Sequence, residues 1–201
     1  MKTERGRVPP SEKDGILPKL AIFDMDGTLI DTCMVNFYSY REALAESGYE
    51  LTREYFEKEC FGKGYKDYLP PIIGKDKDLL EKIHERKISL YDKYIGEARL
   101  NPVLYDFMGG MKGLYHMALV TTASKKNVYD MVEHFNLGCL LELILTSAEI
   151  TKLKPDPEGF LMAMDHFKIP PERTVVFEDS DVGIEAAKRC GATVFRAVQI
   201  N

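Results

Sequence analysis

Two pairs of acidic residues stand directly after short apolar runs of the chain. The first pair is Asp24 with Asp26, and the second is Glu178 with Asp179. Apolar runs of this length are typical of buried parallel strands, because helices cover both faces of a parallel sheet. The carboxyl ends of such strands meet at one edge of the sheet, where ligands bind. We therefore expect the two acidic pairs to lie in one small volume.

Carboxylates that lie this close together need a compensating cation. Neighbouring negative charges raise the pKa of each carboxyl group unless a cation is bound among them. Mg²⁺ suits such a place, since it takes a few oxygen ligands from the protein and the rest from water and phosphate. The bound cation would also neutralise a phosphoryl group and let an anionic nucleophile approach it. The acidic pairs therefore predict a Mg²⁺ site that handles phosphate.

Phosphoryl transfer requires a nucleophile, a proton carrier and groups that hold the phosphate. A carboxylate can attack phosphorus and form an aspartyl-phosphate, while a second carboxyl protonates the leaving oxygen and later activates water. Thr121 offers a hydroxyl donor, Lys154 a positive charge, and the predicted helix start at Ser124 a set of backbone N–H groups. Gly27 allows the chain to turn closely around a bound anion.

The elements that would position these residues alternate between strands and helices. Strands are predicted at 20–23, 116–121, 140–146, 174–177 and 192–195. Helices are predicted at 124–135, 157–167 and 181–190, the first with Ser124 as its N-cap and the last closed by Gly191. This alternation predicts an α/β fold built on a doubly wound parallel sheet.

One stretch departs from the alternation, because residues 32–99 hold predicted helices and no predicted strand. The helices are predicted at 32–48, 52–60 and 76–95, and residues 61–74 form a loop-rich connection with three glycines and two prolines. We expect a small all-helical cap at 32–99, inserted into a core made of 19–31 and 100–201. Residues 1–18 are charged and carry three prolines, so we expect a poorly ordered leader there.

Composition argues against several classes of protein. The net charge of −5 over 201 residues gives no basic field for nucleic acid or anionic lipid. The four cysteines lack the CxxC spacing of zinc sites and redox motifs, and the N-terminus lacks the apolar region of a signal peptide. No apolar run is long enough to span a bilayer. We expect a cytoplasmic monomer that binds neither nucleic acid nor membrane.

Four short motifs resemble, in the same order, those of the haloacid dehalogenase-like superfamily. They are FDMDGTLID at 23–31, VTT at 120–122, KPDP at 154–157 and FEDSDVGIEAA at 177–187. The resemblance covers the chain from about residue 19 to residue 196. Within the superfamily the sequence is most similar to the branch of β-phosphoglucomutases and phosphoglycolate phosphatases. The resemblance implies a Rossmann-like core with an inserted helical cap and a Mg²⁺-dependent phosphatase of small phosphorylated metabolites.

The resemblance also assigns roles to the acidic residues. It implies that Asp24 is the nucleophile and that Asp26 is the general acid and base. Mg²⁺ would be held by the Asp24 carboxylate, the Asp26 backbone carbonyl and Asp179, and whether Glu178 is also a ligand stays open. A set of solvated turns with acidic caps is the plain alternative for both pairs.

The phosphate-binding residues implied by the resemblance are Thr121, Thr122 and Lys154. Thr121 could instead be a strand-end hydroxyl that satisfies the backbone. Lys152 competes with Lys154, and the proline that follows Lys154 favours the latter.

Departures from the family pattern reduce the number of reactions that the chain is expected to catalyse. Dehalogenases and phosphonate hydrolases lack a second acidic residue at the position of Asp26, which argues against both reactions. True β-phosphoglucomutases carry a cap histidine where this chain has Asn36. A phosphomutase and a non-catalytic binding protein on the same fold remain as alternatives to the phosphatase.

The substrate would be chosen by residues of the cap. We expect Asn36, Gly62, Lys63 and Tyr65 to contribute to substrate binding, the last three from the loop-rich stretch. A solvated loop without contact to substrate is the alternative for that stretch. The sequence does not identify the phosphorylated compound.

Overall fold

The computed structural model describes residues 18–60 and 63–198. The strands in these ranges are β1 (Lys19–Phe23), β2 (Ile30–Asp31), β3 (Arg99–Leu100), β4 (Tyr115–Val120), β5 (Leu143–Leu145), β6 (Thr174–Glu178) and β7 (Thr193–Arg196). The α-helices are α1 (Cys33–Ala45), α2 (Arg53–Tyr55), α3 (Tyr65–Tyr68), α4 (Pro70–Ile73), α5 (Lys77–Leu90), α6 (Pro102–Met111), α7 (Lys125–His134), α8 (Glu158–Phe167) and α9 (Asp181–Arg189).

Strand β1 lies at the centre of a five-stranded parallel sheet of order β5-β4-β1-β6-β7. It pairs with β4 on one side and with β6 on the other, so that Ala21 lies beside both Met117 and Val175. The predicted α/β fold with a parallel sheet is thereby confirmed. One predicted strand, at 140–146, is shorter than expected and begins only at Leu143, because the backbone N–H groups of Leu140 and Leu141 still donate to the Leu137 carbonyl oxygen of the preceding 3₁₀ turn.

Helices cover both faces of the sheet. Successive side chains of a strand point to opposite faces. Ala21 and Phe23 therefore pack with residues of α6 and α7, whereas Leu20 and Ile22 pack with residues of α8 and α9. All four side chains are fully buried, which explains why β1 reads as an uninterrupted apolar run.

The segment between β2 and β3 is helical and has a hydrophobic cluster of its own. The buried members of this cluster include Phe37, Tyr40, Leu44, Phe56, Tyr68, Leu69 and Ile83. Helix α2 continues into a π-helical turn at Phe56–Cys60, and α5 is followed by a 3₁₀ turn at Asp92–Glu97. The prediction of one helix over 76–95 is therefore too long, since the α-helical geometry ends at Leu90.

The prediction of a loop-rich stretch at 61–74 is wrong for most of that stretch. Two short helices, α3 and α4, lie within it. The prolines that suggested a loop stand in the first turn of α4, where a missing N–H group costs no helical hydrogen bond. Gly74 ends α4 with a φ of 83°, in the left-handed region that glycine tolerates.

A two-stranded antiparallel sheet joins the helical segment to the rest of the chain. It consists of β2 and β3, in which Asp31 pairs with Arg99. The chain thus leaves and re-enters the main sheet region at adjacent points. The division into a core and a cap at 31 and 99 stays a prediction, and the predicted leader lies almost wholly outside the described residues.

No helix in the part of the chain that the structure describes is both long enough and apolar enough to cross a membrane.

We expect the core beneath the sheet to tolerate little loss of volume. Phe160 is 1% exposed, whereas its neighbour Leu161 on the same helix is 45% exposed. Phe160→Ala leaves a cavity among packed side chains and is expected to lower the free energy of unfolding by about 3–5 kcal/mol. Urea denaturation followed by circular dichroism measures this change. Leu161→Ala is the matched control, and a loss of equal size in both variants would contradict the packing described.

Candidate active site

The turn after β1 carries the first acidic pair. Asp24 follows the strand directly, and its backbone N–H donates to the carbonyl oxygen of Phe177 at 3.0 Å, which ties the turn to β6. Gly27 has a φ of 84°. A Cβ atom on Gly27 would lie 2.3 Å from Asp179 Oδ2, so only glycine leaves room for that carboxylate.

The second acidic pair lies where β6 meets α9. The Ser180 hydroxyl donates to Glu178 Oε1 at 2.8 Å and accepts from the Gly183 backbone N–H at 3.1 Å, which caps α9. A Cβ atom on Gly183 would lie 2.0 Å from the carboxyl carbon of Glu178. The side chain of Glu178, which is fully buried, therefore occupies space that any larger residue at Gly183 would fill.

A single lysine bridges the two strands. Lys154 Nζ lies 2.6 Å from Asp24 Oδ1 and 2.6 Å from Glu178 Oε2, and it also donates to the Val120 carbonyl oxygen at 3.4 Å. Of the two candidate lysines, Lys154 is the one that contacts the acidic residues. Lys152 is exposed, and its backbone N–H donates to Glu158. Lys154 thus holds the nucleophile candidate in a fixed orientation.

The same pocket contains more negative than positive charge. Carboxylate oxygens of Asp24, Glu178 and Asp179 all lie within 4.8 Å of one another. When ionised, these three groups and the Lys154 ammonium leave an excess of two negative charges. Burial raises the pKa of Asp24 to about 8; Lys154 opposes this shift and Glu178 adds to it. A divalent cation among these oxygens would match the excess charge and favour ionised Asp24.

The donor set fits Mg²⁺ better than a transition metal. The clustered ligand atoms are carboxylate oxygens, without nitrogen or sulfur, which is the choice of a hard cation. Thr28 Oγ1 donates to Asp179 Oδ1 at 2.8 Å and orients that carboxylate. Both oxygens of Glu178 already accept hydrogen bonds, from Lys154 and Ser180, so Asp24 and Asp179 are the better placed ligands.

Asp26 has different surroundings from Asp24. The Thr32 hydroxyl donates a short hydrogen bond to Asp26 Oδ1, and Asn36 Nδ2 donates to Thr32 Oγ1 at 3.1 Å. Burial raises the pKa of Asp26, while the Thr32 hydrogen bond and the charge of Lys87 lower it. Two carboxyl groups in separate environments can take separate roles, one as nucleophile and one as proton carrier.

The two threonines of the second motif lie at the end of β4 but differ in exposure. Thr121 is buried, and its hydroxyl accepts from the Ala123 backbone N–H at 3.1 Å, whereas Thr122 is exposed. Helix α7 begins next, with Ser124 in the N-cap position as predicted. The Ser124 side chain makes no capping hydrogen bond, and its buried Oγ has no partner among the described residues.

Of the substrate-binding residues predicted in the helical segment, Asn36 lies in the surroundings of Asp26, whereas Lys63 and Tyr65 contact other residues of that segment. Asn36 contacts Thr32, the residue that holds Asp26. Tyr65 stacks on His84 with ring centroids 3.6 Å apart and donates to Glu81, and Lys63 lies 3.4 Å from Glu59. Gly62 lies outside the described residues. Substrate binding by these four residues stays a prediction.

Sequence reasoning missed two residues that act on Asp26, Thr32 through a hydrogen bond and Lys87 through its charge. Thr32 directly follows the first motif, and nothing in its sequence surroundings distinguishes it from a helix-capping residue. Lys87 carries a stronger signal, because it stands among the buried positions of α5 together with Ile83 and Leu90. A lysine in an apolar stripe at helical spacing is unusual enough to have been noticed.

Comparisons with known proteins show what the chain is similar to. The sequence model of the haloacid dehalogenase-like hydrolases matches residues 21–197. A phosphorylated carbohydrates phosphatase of Thermotoga maritima is 29% identical over 177 residues, covering 85% of this chain and 80% of that protein.

Solved structures are similar over nearly the whole chain. The CbbY protein of Rhodobacter sphaeroides, in complex with phosphate, has a TM-score of 0.79 at 24% identity and covers 92% of this chain and 88% of its own. A putative beta-phosphoglucomutase of Thermotoga maritima has a TM-score of 0.70 at 25% identity, covering 91% of this chain and 87% of its own. These structures share the fold described above.

The close approach at Gly183 gives a direct test of the site geometry. Gly183→Ala places a methyl group where the Glu178 carboxyl lies, so we expect unfolding free energy to fall by about 1–3 kcal/mol. Gly109→Ala in α6 is the matched control, because its Cβ would meet open space and helix propensity then stabilises by about 0.5–1 kcal/mol. Thermal unfolding of both variants measures the difference. Stabilisation by both would show that Glu178 is not held against α9.

Proposed function

The chain belongs to the haloacid dehalogenase-like hydrolase family, and we propose that it is a Mg²⁺-dependent phosphatase of small phosphorylated metabolites, sugar phosphates among them. The observation that carries the proposal is the contact of Lys154 with Asp24 and Glu178, beside Asp179. This arrangement offers a fixed carboxylate nucleophile, a cation for phosphoryl oxygens and ligands for a metal ion. The name of the Thermotoga maritima relative supports the substrate class.

In the proposed site Asp24, Asp179 and the backbone carbonyl of Asp26 would hold Mg²⁺, which when bound would supply positive charge against the phosphoryl oxygens. Thr121, Thr122 and Lys154 bind the same oxygens. Lys154 engages Oδ1 of Asp24, which fixes the plane of the carboxylate for attack. These residues together neutralise the charge that phosphoryl transfer gathers on the transferred group.

The proposed reaction has two steps, both on phosphorus. An Asp24 oxygen attacks the phosphorus atom while the bond to the leaving oxygen breaks and Asp26 gives that oxygen a proton. Asp24 is then an aspartyl-phosphate. In the second step Asp26 takes a proton from water, the water oxygen attacks the same phosphorus, and inorganic phosphate leaves with Asp24 restored. Burial raises the pKa of Asp26, which favours its protonated form at the start.

The helical segment at 32–99 is proposed to be the cap that covers this site. It contributes Thr32, Asn36 and Lys87 to the surroundings of Asp26, and this contribution supports the proposal. Cytoplasmic location and a monomeric state stay predictions.

A phosphomutase is the alternative, favoured by the likeness to the putative beta-phosphoglucomutase structure. The two activities differ in the product, since a mutase returns the phosphoryl group to the sugar. Asn36 stands where the mutases carry a histidine, and its amide is engaged by Thr32. Product analysis after incubation with glucose 1-phosphate and a bisphosphate activator distinguishes glucose 6-phosphate from free phosphate.

The function is tested by phosphate release from a panel that includes phenyl phosphate, 2-phosphoglycolate, glucose 6-phosphate and fructose 1-phosphate, with Mg²⁺ present. We expect turnover of at least one sugar phosphate. The absence of phosphate release from every compound would contradict the proposal.

Replacement of the nucleophile is expected to abolish turnover without unfolding the protein. Asp24→Asn keeps the shape of the side chain but removes the attacking charge, so kcat should fall at least about 10³-fold. Asp106→Asn, on the exposed side of α6, is the control and should keep wild-type kcat. Borohydride trapping during turnover, followed by peptide mass analysis, locates the acyl phosphate. Modification at any residue other than Asp24 would refute this assignment.

The affinity for Mg²⁺ should fall by different amounts in two variants. Asp179→Asn removes a proposed ligand, whereas Thr28→Val removes only the hydroxyl that orients it. We expect Thr28→Val to lower Mg²⁺ affinity about 10-fold and Asp179→Asn to lower it further. Calorimetric titration of the substrate-free protein with Mg²⁺ measures binding apart from activity, and removal of metal with EDTA should stop turnover. Equal affinities in all three proteins would exclude Asp179 as a ligand.

A further inference from the structure

The edge strand β7 is tied to the end of β6 beyond the last pair of the sheet ladder. That pair is Glu178 with Arg196. The backbone N–H of Ala197 donates to the Glu178 carbonyl oxygen at 2.9 Å. Arg196 Nη1 donates to the Asp179 carbonyl oxygen at 2.7 Å. Two successive carbonyl groups of the second acidic pair are therefore anchored on residues at the end of β7.

The Asp179 carbonyl group lies between two regular elements and belongs to neither. Strand β6 ends at Glu178, and the Ser180 carbonyl oxygen accepts the first hydrogen bond of α9, from the Ile184 N–H at 2.9 Å. A backbone acceptor in such a place needs a donor from a side chain or from water. Arg196 supplies this donor, and the peptide that follows Asp179 is thereby fixed.

A carboxylate in turn holds the guanidinium group. Arg196 Nη2 donates a short hydrogen bond to Asp181 Oδ1, in the first turn of α9. The planar fork of arginine can contact two acceptors at once, which a lysine ammonium on a flexible stem does less well. The side chain of Arg196 is 53% exposed, so this ion pair contributes little to folding stability. The position that the contacts give to Asp179 is the better explanation for them.

Asp179 is thus held at both its side chain and its backbone. Thr28 Oγ1 donates to the carboxylate at 2.8 Å, and Arg196 donates to the carbonyl oxygen. Gly27 borders the same carboxylate so closely that a Cβ atom there would lie 2.3 Å from Oδ2. A shift of the Asp179 backbone would therefore displace the carboxylate from its place beside Asp24. Groups that orient a ligand in this way tune the affinity of a metal site.

We propose that Arg196 is a positioning residue for the metal site, whose guanidinium group holds the turn from Asp179 to Asp181 and so keeps the Asp179 carboxylate beside that of Asp24. The inference rests on the proposed function, in which these two carboxylates would hold Mg²⁺. Arg196 acts through Asp179 and takes no part in the chemistry itself. It lies outside the four sequence motifs, on a strand to which no role in the site has been assigned above.

The charge of Arg196 and its hydrogen bonds have opposite effects on cation binding, so one substitution separates them. Arg196→Met keeps most of the stem and removes both the charge and the donors. Loss of a positive charge near the site would by itself favour Mg²⁺ binding. Loss of positioning should outweigh this effect and lower Mg²⁺ affinity about 10-fold, as measured by calorimetric titration of the substrate-free protein. Arg196→Lys keeps a donor for one acceptor and should lose less affinity.

The matched control is Lys188→Met, which removes an exposed cation from α9. Its Mg²⁺ affinity should stay at the wild-type value or rise slightly. Without Mg²⁺, the melting temperature of Arg196→Met should stay within about 4 °C of wild type, because an exposed ion pair stabilises little. The Mg²⁺ concentration for half-maximal phosphate release should rise by the same factor as the dissociation constant.

A double-mutant cycle tests whether Asp181 works through the guanidinium group. Asp181→Asn should weaken Mg²⁺ binding in the wild-type background, because the fork of Arg196 loses its anchor. The same substitution should have a smaller effect in the Arg196→Met background, where no guanidinium remains to be held.

Four results would overturn the inference. Equal or tighter Mg²⁺ binding by Arg196→Met would leave charge as the only effect. An equal loss of affinity in Lys188→Met, an equal effect of Asp181→Asn in both backgrounds, or a larger fall in the melting temperature of Arg196→Met would each contradict positioning. Wild-type protein that neither binds Mg²⁺ nor releases phosphate refutes the proposed function. Wild-type protein that does both, with Arg196→Met of equal affinity, refutes this inference alone.

Discussion

Several carboxylates must be held together at one edge of a parallel sheet, and this electrostatic constraint governs the arrangement of the site. Lys154 satisfies part of it by contacting Asp24 and Glu178 at the same time. The contact is available because β1 and β6 are neighbours in the sheet, so their carboxyl ends carry acidic residues side by side. Two glycines provide the space that these carboxyl groups need. Gly27 leaves room for the Asp179 carboxylate, and Gly183 leaves room for the Glu178 carboxyl group.

The two aspartates of the first motif are chemically identical but have different surroundings. They are separated by one residue, yet Asp24 faces Lys154 and β6, whereas Asp26 faces Thr32 at the start of the helical segment. The first environment is built by the sheet and the second by the inserted helices. In the proposed mechanism, chemistry at phosphorus and proton transfer to the leaving group are therefore supported by different parts of the chain.

The centre of the sheet could be predicted from sequence because β1, β4 and β6 are largely buried on both faces and read as apolar runs, of which β1 is the clearest. The grouping of Asp24, Glu178 and Asp179 followed from the same reasoning, since parallel strands bring their ends together. The helical segment was harder to predict. Pro70 and Pro71 suggested a loop, although a proline in the first turn is compatible with a helix.

Side-chain surroundings could not be predicted in the helical segment. The contacts of Tyr65 depend on the packing of α3 against α5, where His84 presents its ring. The burial of Lys87 depends likewise on neighbours that are distant in sequence, such as Tyr40. A motif fixes residues that are close along the chain, whereas the contacts of Tyr65 and Lys87 come from packing between helices.

The pairing of β2 with β3 has a consequence for how such a chain can diversify. Asp31 and Arg99 are direct partners, so the two ends of the intervening helices are separated only by the spacing of adjacent strands. An insertion whose ends nearly touch can be lengthened, shortened or exchanged without changing the path of the chain on either side of it. The substrate selectivity proposed for the helical segment can then evolve as an interchangeable module, while the acidic cluster and Lys154 stay as they are.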